Sequence, residues 1–343
     1  MPMNDPKDLL LSSYDYVLDK KHIATYPINP KENAKLLVYI KNEDKIMHTH
    51  FKELSSLLPP CAIVFNDTKV IKARIFGYKT SGAKIELFLH QPSVNFTFLA
   101  QIRGKVKIGE ELHFDLNLKA KVLELFNDGV RRVEFWQNDH LLNTLELYQI
   151  LENIGHIPLP PYIKRSDENS DISDYQSIFA RNEGAVAAPT ASLHFSKEMI
   201  EKLAQNHNLH YLTLHVGAGT FKSVECENLE DHKMHSEYFD IGEETAKLIQ
   251  SNIPLLGVGT TVTRCVEYFA RTQIQNGFCD LFLHPYNLPI RQNYLLTNFH
   301  LPKSTLIMLV AAFIGREKTM QIYQEAIKNN YRFYSYGDAM LIL

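Results

Sequence analysis

A chain of 343 residues, 45% hydrophobic and 22% charged, has ordinary globular composition and enough apolar material for one large core or two smaller ones. Its longest strongly apolar run, residues 306–314, is well short of the roughly 20 residues that span a bilayer and reads as a buried helix. A formal net charge of −3 does not advertise nucleic-acid binding, and four scattered cysteines, Cys61, Cys226, Cys265 and Cys279, argue against a disulfide framework or a cysteine-rich zinc site.

The first residues carry Asp5, Lys7 and Asp8 ahead of a leucine triplet, without the basic and long apolar segments of a secretory signal. A cytoplasmic location with buried, reduced thiols is expected. Charge is uneven further on: between residues 68 and 109, Lys69, Lys72, Arg74, Lys79, Lys84, Arg103, Lys105 and Lys107 oppose one acid, Glu86. Such a strip is either a solvated face or a phosphate-binding patch. Over residues 73–135, short apolar alternations are broken by turn signals at Ser81-Gly82, Gly104, Gly109 and Asn127-Asp128-Gly129, the pattern of an antiparallel barrel or sandwich. Asp139 is expected to cap a helix carrying Leu142, Leu145, Ile150 and Ile154, which Gly155 stops. The proline-rich residues 156–163 read as an extended linker or a wall of a site.

Strand-turn-helix grammar then takes over. Residues 186–188 lead through Pro189-Thr190 and His194 to a helix near Ser196, and residues 255–258 lead through Gly259-Thr260-Thr261 to a helix with Val262, Cys265, Val266 and Phe269 on one face. Residues 294–299 lead through His300-Leu301-Pro302 to a helix capped by Ser304, while the strand at residues 211–216 opens into Gly217-Ala218-Gly219-Thr220. This repetition implies parallel strands covered by helices, as an open sheet or a barrel, with chemistry gathered at the strands' C-terminal ends. The expected fold is α/β: a parallel, barrel-like α/β domain built from residues 1–71 and 154–343, with an antiparallel β-barrel inserted at residues 72–153.

The polar motifs stand at those strand ends. Gly217-Ala218-Gly219 is no dinucleotide fingerprint, since Lys222 stands where a third glycine belongs, and no Gly-Lys-Ser/Thr phosphate loop occurs. Two glycines there give either a tight turn or close backbone approach to a polar ligand. His215 ends its strand beside Thr213, placed for catalysis or for the core. His232 and His235, with Asp231, Glu237 and His194, suit either metal ligation or, better, acid/base chemistry. Thr260 and Thr261, with Arg264 one turn on, either cap their helix or hold a carboxylate or phosphate at its positive end. Phe195, Phe221 and Tyr238 either stack on a ligand or fill the core.

Taken together and in order, the runs VFNDTKVIKAR from Val64, GHIPLPPYI from Gly155, GAVAAPTASLHF from Gly184, LHVGAGTF from Leu214, DHKMHSEY from Asp231, VGTT from Val258, TNFHLPKSTLIMLV from Thr297 and YSYGDAM from Tyr334 resemble one family. It is the S-adenosylmethionine:tRNA ribosyltransferase-isomerases of queuosine biosynthesis, and the similarity covers nearly the whole chain. Departures are local: Ser192 replaces a usual glycine, Val262-Thr263 replaces Ser-Val, and Pro285-Tyr286-Asn287 lacks the glycine after proline.

The resemblance implies a transferase that moves and isomerises the ribosyl group of S-adenosylmethionine onto 7-aminomethyl-7-deazaguanine at the wobble position of a GUN-anticodon tRNA. Epoxyqueuosine forms, and adenine and methionine leave. It implies no metal or redox cofactor, no membrane and a monomer, with S-adenosylmethionine consumed as a substrate. The acid/base groups it points to are His194, His215, His235 and Glu237. Methionine's carboxylate suits Thr260, Thr261 and Arg264, and the turn with Gly217, Gly219, Thr220 and Phe221 suits ribose or adenine. Pro189, Thr190, Asn298, His300, Tyr336 and Asp338 complete the substrate contacts, and Lys69, Lys72, Arg74, Arg103 and Lys105 meet tRNA phosphates. Two rival readings remain: a metal-dependent hydrolase on an α/β barrel, and a non-catalytic RNA-binding protein.

Overall fold

Continuous burial along β3 (Ala62–Asn66) sets the architecture of the main sheet. Its neighbours toward the N-terminus are β1 (Lys35–Ile40), β2 (Lys45–His50) and a single helical turn, α1 (Leu54–Leu57); β4 (Thr68–Val70) follows it. Ile63 and Phe65 point into one core with Leu203, Leu256 and Val258, while Ala62 and Val64 point into another with Leu248, Val262 and Val266. A strand buried on both faces belongs at the centre of a sheet covered on both sides. The computed structural model describes residues 5–221 and 224–343, the side chain of Phe221 excepted.

The inserted segment forms β5 (Arg74–Lys79), β6 (Lys84–Pro92), β7 (Thr97–Arg103), β8 (Glu111–His113), β9 (Leu118–Leu125), β10 (Val130–Gln137) and β11 (His140–Leu141). Every pairing among them is antiparallel, and the contact between β9 and β10 closes β5 to β10 into a barrel. Ile75, Leu87, Phe98, Leu112, Val122 and Phe135 fill its interior. The helix α2 (Thr144–Ile154) joins this core through Leu147 and Leu151. Its cap is Asn143 rather than Asp139, because residues after Asp139 first fold back as β11 against Trp136 and Gln137. Asn143 accepts from the Glu146 N–H and Glu146 accepts from the Asn143 N–H, a complete capping box.

The chain returns through α3 (Asp171–Asp174), β12 (Asn182–Ala185), α4 (Lys197–Ala204), β13 (Leu209–Leu214), β14 (Glu237–Asp240), α5 (Glu243–Gln250), β15 (Leu255–Val258), α6 (Thr260–Thr272), β16 (Asn276–Cys279), β17 (Tyr294–Asn298), α7 (Thr305–Ile314), α8 (Arg316–Lys328) and β18 (Ala339–Ile342). Strand order in the main sheet is β16-β14-β13-β3-β15-β17-β18-β1-β2. The middle strands β13, β3, β15 and β17 are parallel. Of the two arrangements the sequence left open, the sheet takes the open one rather than closing as a barrel: antiparallel strands β14 and β16 finish one edge and the β1–β2 hairpin finishes the other. The strand expected at residues 186–188 ends earlier, as β12 pairing with β4, and a 3₁₀ turn at Thr190–His194 precedes α4. α7 is the buried apolar helix expected. Cys61, Cys265 and Cys279 are buried free thiols, whereas Cys226 is half-buried. Among the described residues, no helix is long and apolar enough to cross a membrane.

Parallel strands put Asn66, His215, Gly259 and Asn298 at one end of the sheet. Because β18 runs antiparallel to β17, pairing Ala339 with Asn298, the segment before it arrives at the same end. One chain reversal thus brings residues 334–338 to the strand-end cluster.

Candidate functional site

Two clefts open at this end, separated by the turn that begins at Gly217. The first is narrow, with a cavity volume of about 80 Å³. Pro189 and Thr190 form one wall, Gly259 to Thr261 and Thr297 to His300 the floor, and Tyr162, Tyr334 and Ser335 the far side. At Gly259 the backbone takes φ 92°, a conformation open to glycine, and turns sharply from β15 into α6. No side chain caps α6, so the amides and hydroxyls of Thr260 and Thr261 face the cleft at the positive end of a 13-residue helix.

Arg264 does not join them. Its guanidinium is buried and bonded to Glu237 Oε2 and to the carbonyls of Leu281, His235 and Cys279. Glu237 in turn accepts from the Gly217 N–H (2.8 Å) and the Thr220 hydroxyl (2.9 Å), with His235 Nε2 at 3.4 Å. Burial pushes the Glu237 carboxyl up, but the Arg264 guanidinium and His235 outweigh it and hold the pKa down at about 2. This pair is an anchor for the Gly217–Thr220 turn rather than a free acid and a free cation. Gly219 is required there because a Cβ would stand 2.6 Å from His235 Cγ.

His194 lies behind the first cleft. Thr190 Oγ1 donates to Asn298 Oδ1 (2.8 Å), which orients the amide so that Nδ2 donates to His194 Nε2 (3.1 Å). Burial, reinforced by Arg332 and Lys31, lowers the His194 pKa to about 4. His300 lines the cleft, bonded to Thr297 Oγ1 at 2.9 Å, and burial lowers it to about 3. Both are neutral in the folded protein at neutral pH, and their folded pKa values lie below the unfolded ones. The unfolded chain therefore takes up protons first as pH falls, and stability is expected to drop from about pH 6.5 toward pH 4, by a few kcal/mol at most. Denaturation midpoints from pH 7 to 5 check this: a His300→Gln variant is expected to show a shallower slope, and an unchanged slope counts against it.

Tyr336 and Asp338 also serve the fold. Tyr336 donates to Asp171, which holds Arg165 bidentately, and Asp338 accepts from the N–H groups of Lys35 and Arg332. Only Tyr334 and Ser335 of that segment reach the cleft wall. Phe221 ends the 3₁₀ turn after Gly217, and its side chain lies outside the described residues.

The second cleft lies between the barrel and the sheet edge, and His215 lines it. Its Nδ1 is 2.8 Å from Thr68 Oγ1, and the Thr68 hydroxyl donates onward to the Asn182 carbonyl at 3.4 Å. Thr68 therefore accepts from Nδ1–H, which leaves Nε2 with its lone pair. Burial lowers the His215 pKa, against the nearby Asp67 and Asp240 carboxylates that raise it. Gly184, with φ 148°, packs on the face of the imidazole: a Cβ there would lie 2.8 Å from Nε2 and 2.9 Å from both Cδ2 and Cε1, so only a glycine lets the backbone lie this close to the ring.

Sequence reasoning passed over Asn66 and Thr68 as working residues, although a polar Asn-Asp-Thr run at the end of an apolar strand was the signal used elsewhere. Asn66 donates to the Leu214 carbonyl (3.0 Å) and to Thr261 Oγ1 (3.3 Å), tying three strand ends together. The ligand set weighed for a metal is dispersed, since His194 sits with Asn298 and Glu237 with Arg264. Among the described residues no group of three or more His, Cys, Asp or Glu side chains is arranged to hold a metal ion. Lys69 pairs with Glu183, Lys72 with Glu152 and Arg74 with Glu86, whereas the Arg103 side chain is 88% exposed and Lys105 is also exposed.

A family model described as queuosine biosynthesis protein matches residues 11–342. The chain belongs to that family. It is 66% identical over 340 residues to an S-adenosylmethionine:tRNA ribosyltransferase-isomerase of Campylobacter jejuni, covering 98% of this chain and 99% of the relative. The enzyme of the same name from Sulfurimonas denitrificans is 54% identical, with 98% and 99% covered. The crystal structure of an S-adenosylmethionine tRNA ribosyltransferase from Thermotoga maritima matches with a TM-score of 0.53 at 31% identity, covering 96% of this chain and all of that one. In this family's terms, the two clefts and the turn between them form one candidate active site.

Proposed function

We propose that this chain transfers and isomerises the ribosyl group of S-adenosylmethionine onto 7-aminomethyl-7-deazaguanine in the wobble position of a GUN-anticodon tRNA, releasing adenine and methionine. One observation carries the reading: a neutral histidine and an uncapped helix N-terminus face two clefts that share one anchored turn. The methionine carboxylate fits the amides and hydroxyls at Thr260 and Thr261, where the helix dipole favours negative charge. The sulfonium acidifies the ribose CH₂ beside it, and His215 Nε2 is the base placed to take a carbon-bound proton or to keep the attacking amine neutral. His300 and Thr297 lie on the floor of the first cleft, beside Pro189, Phe299 and Tyr334.

Incubating S-adenosylmethionine with tRNA that carries the deazaguanine precursor tests the reading. Adenine release and a mass-shifted nucleoside are expected, and the absence of both with folded protein overturns it. Phosphate contacts are assigned to Arg103 and Lys105 more than to Lys69, Lys72 and Arg74: Arg103 is 88% exposed and meets Glu86 only at 3.8 Å, whereas those three are less exposed and pair with acids at 2.7, 3.5 and 3.3 Å. Alanine at both Arg103 and Lys105 is expected to weaken tRNA binding about tenfold and to flatten its salt dependence, with S-adenosylmethionine affinity unchanged. Salt titrations of tRNA affinity check it, and a slope equal to that of the parent protein counts against it.

A further inference from the structure

Tyr238 on β14 and Phe278 on β16 stand directly opposite each other in register. Strand alternation turns Glu237 and Phe239 inward, so both aromatic rings lie on the outer face and stay 40% and 56% exposed. Neither is needed there to fill a core. Their rings meet edge to face at 5.8 Å, and Tyr238 lies nearly parallel to the His215 imidazole, 5.9 Å away and tilted by 20°. Across the second cleft the facing wall is Val94 of the β6–β7 hairpin and Tyr148 of α2. The cleft is thus a slot with aromatic walls and a proton acceptor at His215 Nε2, whose ring packs face-on against the Gly184 backbone.

We propose that this slot receives the acceptor nucleobase: a flat, amine-bearing heteroaromatic ring swung out of a tRNA loop, stacked on Tyr238 with Phe278 at its edge, its amine directed toward His215. The proposal rests on the ribosyl-transfer reading and assigns the two substrates to separate clefts. An aromatic platform suits any base, since every base has a π face, and so supplies affinity. Selectivity for an aminomethyl group comes from the His215 acceptor on the cleft wall, which can pair with an amine that guanine lacks. An enzyme acting on a base held in a structured loop must take it out of the stack, and a slot with exposed aromatic walls offsets that unstacking. The Gly217–Thr220 turn borders both clefts, Gly217 on this side and Thr220 on the other, so the amine and the ribosyl carbon meet across it.

Binding of an anticodon stem-loop carrying 7-aminomethyl-7-deazaguanine, and of the same stem-loop carrying guanine, is measured for the parent protein and for Tyr238→Ala, Phe278→Ala and Tyr238→Phe. Parent activity is first confirmed by adenine release. Tyr238→Ala is expected to lose roughly 5- to 100-fold in affinity for both stem-loops, the range set by loss of one base stack, while keeping its preference for the precursor over guanine. Tyr238→Phe keeps both, and S-adenosylmethionine affinity stays within about twofold in every variant by the two-cleft assignment. An active parent whose two alanine variants bind the precursor stem-loop like the parent overturns the slot assignment while leaving the reaction intact. An equal loss of S-adenosylmethionine affinity also overturns it, because separate clefts cannot fail together. An inactive parent overturns the ribosyl-transfer reading itself, and the slot with it.

Discussion

Replacing His215 with Gln is expected to lower turnover by roughly 10²- to 10⁴-fold, the range for removing a positioned general acid or base, with little loss of stability. Glutamine keeps a polar group near Thr68 Oγ1 but cannot take up a proton. The effect is expected to be large because the structure prepares one nitrogen to accept a proton. Thr68 accepts from Nδ1–H at 2.8 Å, which leaves Nε2 unprotonated, and His215 lines the second cleft. The pH profile supplies a second readout. Because burial puts the His215 pKa below 6.5, the base is already neutral there, and the acid limb of kcat/KM is expected to fall below that pH. Thr68→Ala, which frees the tautomer, is expected to lose activity less steeply, and Thr68→Ser to recover it. A fall of less than tenfold in His215→Gln, with an unshifted acid limb, would falsify the assignment of the base.

Much of this arrangement is legible in the sequence alone. Alternation with Gly and Asn-Asp-Gly turns between residues 73 and 135 specifies an antiparallel barrel, because period and turn chemistry are local properties. Short apolar strands ending in polar residues specify parallel strands with a site at their C-terminal ends, and Gly217, Thr260 and Asn298 are found there. Sheet closure is not legible, since it depends on which edges remain unpaired, and that is decided by β14, β16 and the β1–β2 hairpin far apart in the chain. Partner choice is not legible either. Nothing local distinguishes an arginine that meets substrate from one whose donors are consumed by Glu237 and three carbonyls. The same holds for Asp338, whose carboxylate is spent on the N–H groups of Lys35 and Arg332, and for His194, which becomes an acceptor for Asn298. Charged residues chosen by type alone thus divide into those facing a cleft and those holding its walls.

The Glu237–Arg264 pair makes that division measurable. Removing one partner strands a buried charge, so Glu237→Gln and Arg264→Met are each expected to cost about 3–5 kcal/mol of stability. Replacing both together is expected to recover a large part of that loss, and a double-mutant cycle from denaturant unfolding isolates the coupling. A Glu237 that only carried protons would behave differently, because Glu237→Gln would then fold normally and simply be inactive. The pH dependence separates the same two roles. The folded pKa of about 2 lies below the usual carboxylate value of 4.5, so the pair's contribution is present above pH 4.5 and is lost as pH falls toward 2. That window overlaps the lower part of the one set by His194 and His300, whose folded values are about 4 and 3, so the parent's stability is expected to fall continuously from about pH 6.5 toward pH 2, and Glu237→Gln to remove the part of that fall that lies below pH 4.5. Loss of the anchor also frees the Gly217–Thr220 turn, which borders both clefts. In the folded fraction of Glu237→Gln, KM for both substrates is therefore expected to rise more than kcat falls, whereas a collapse of kcat at unchanged KM and unchanged stability would return Glu237 to the role of a proton carrier.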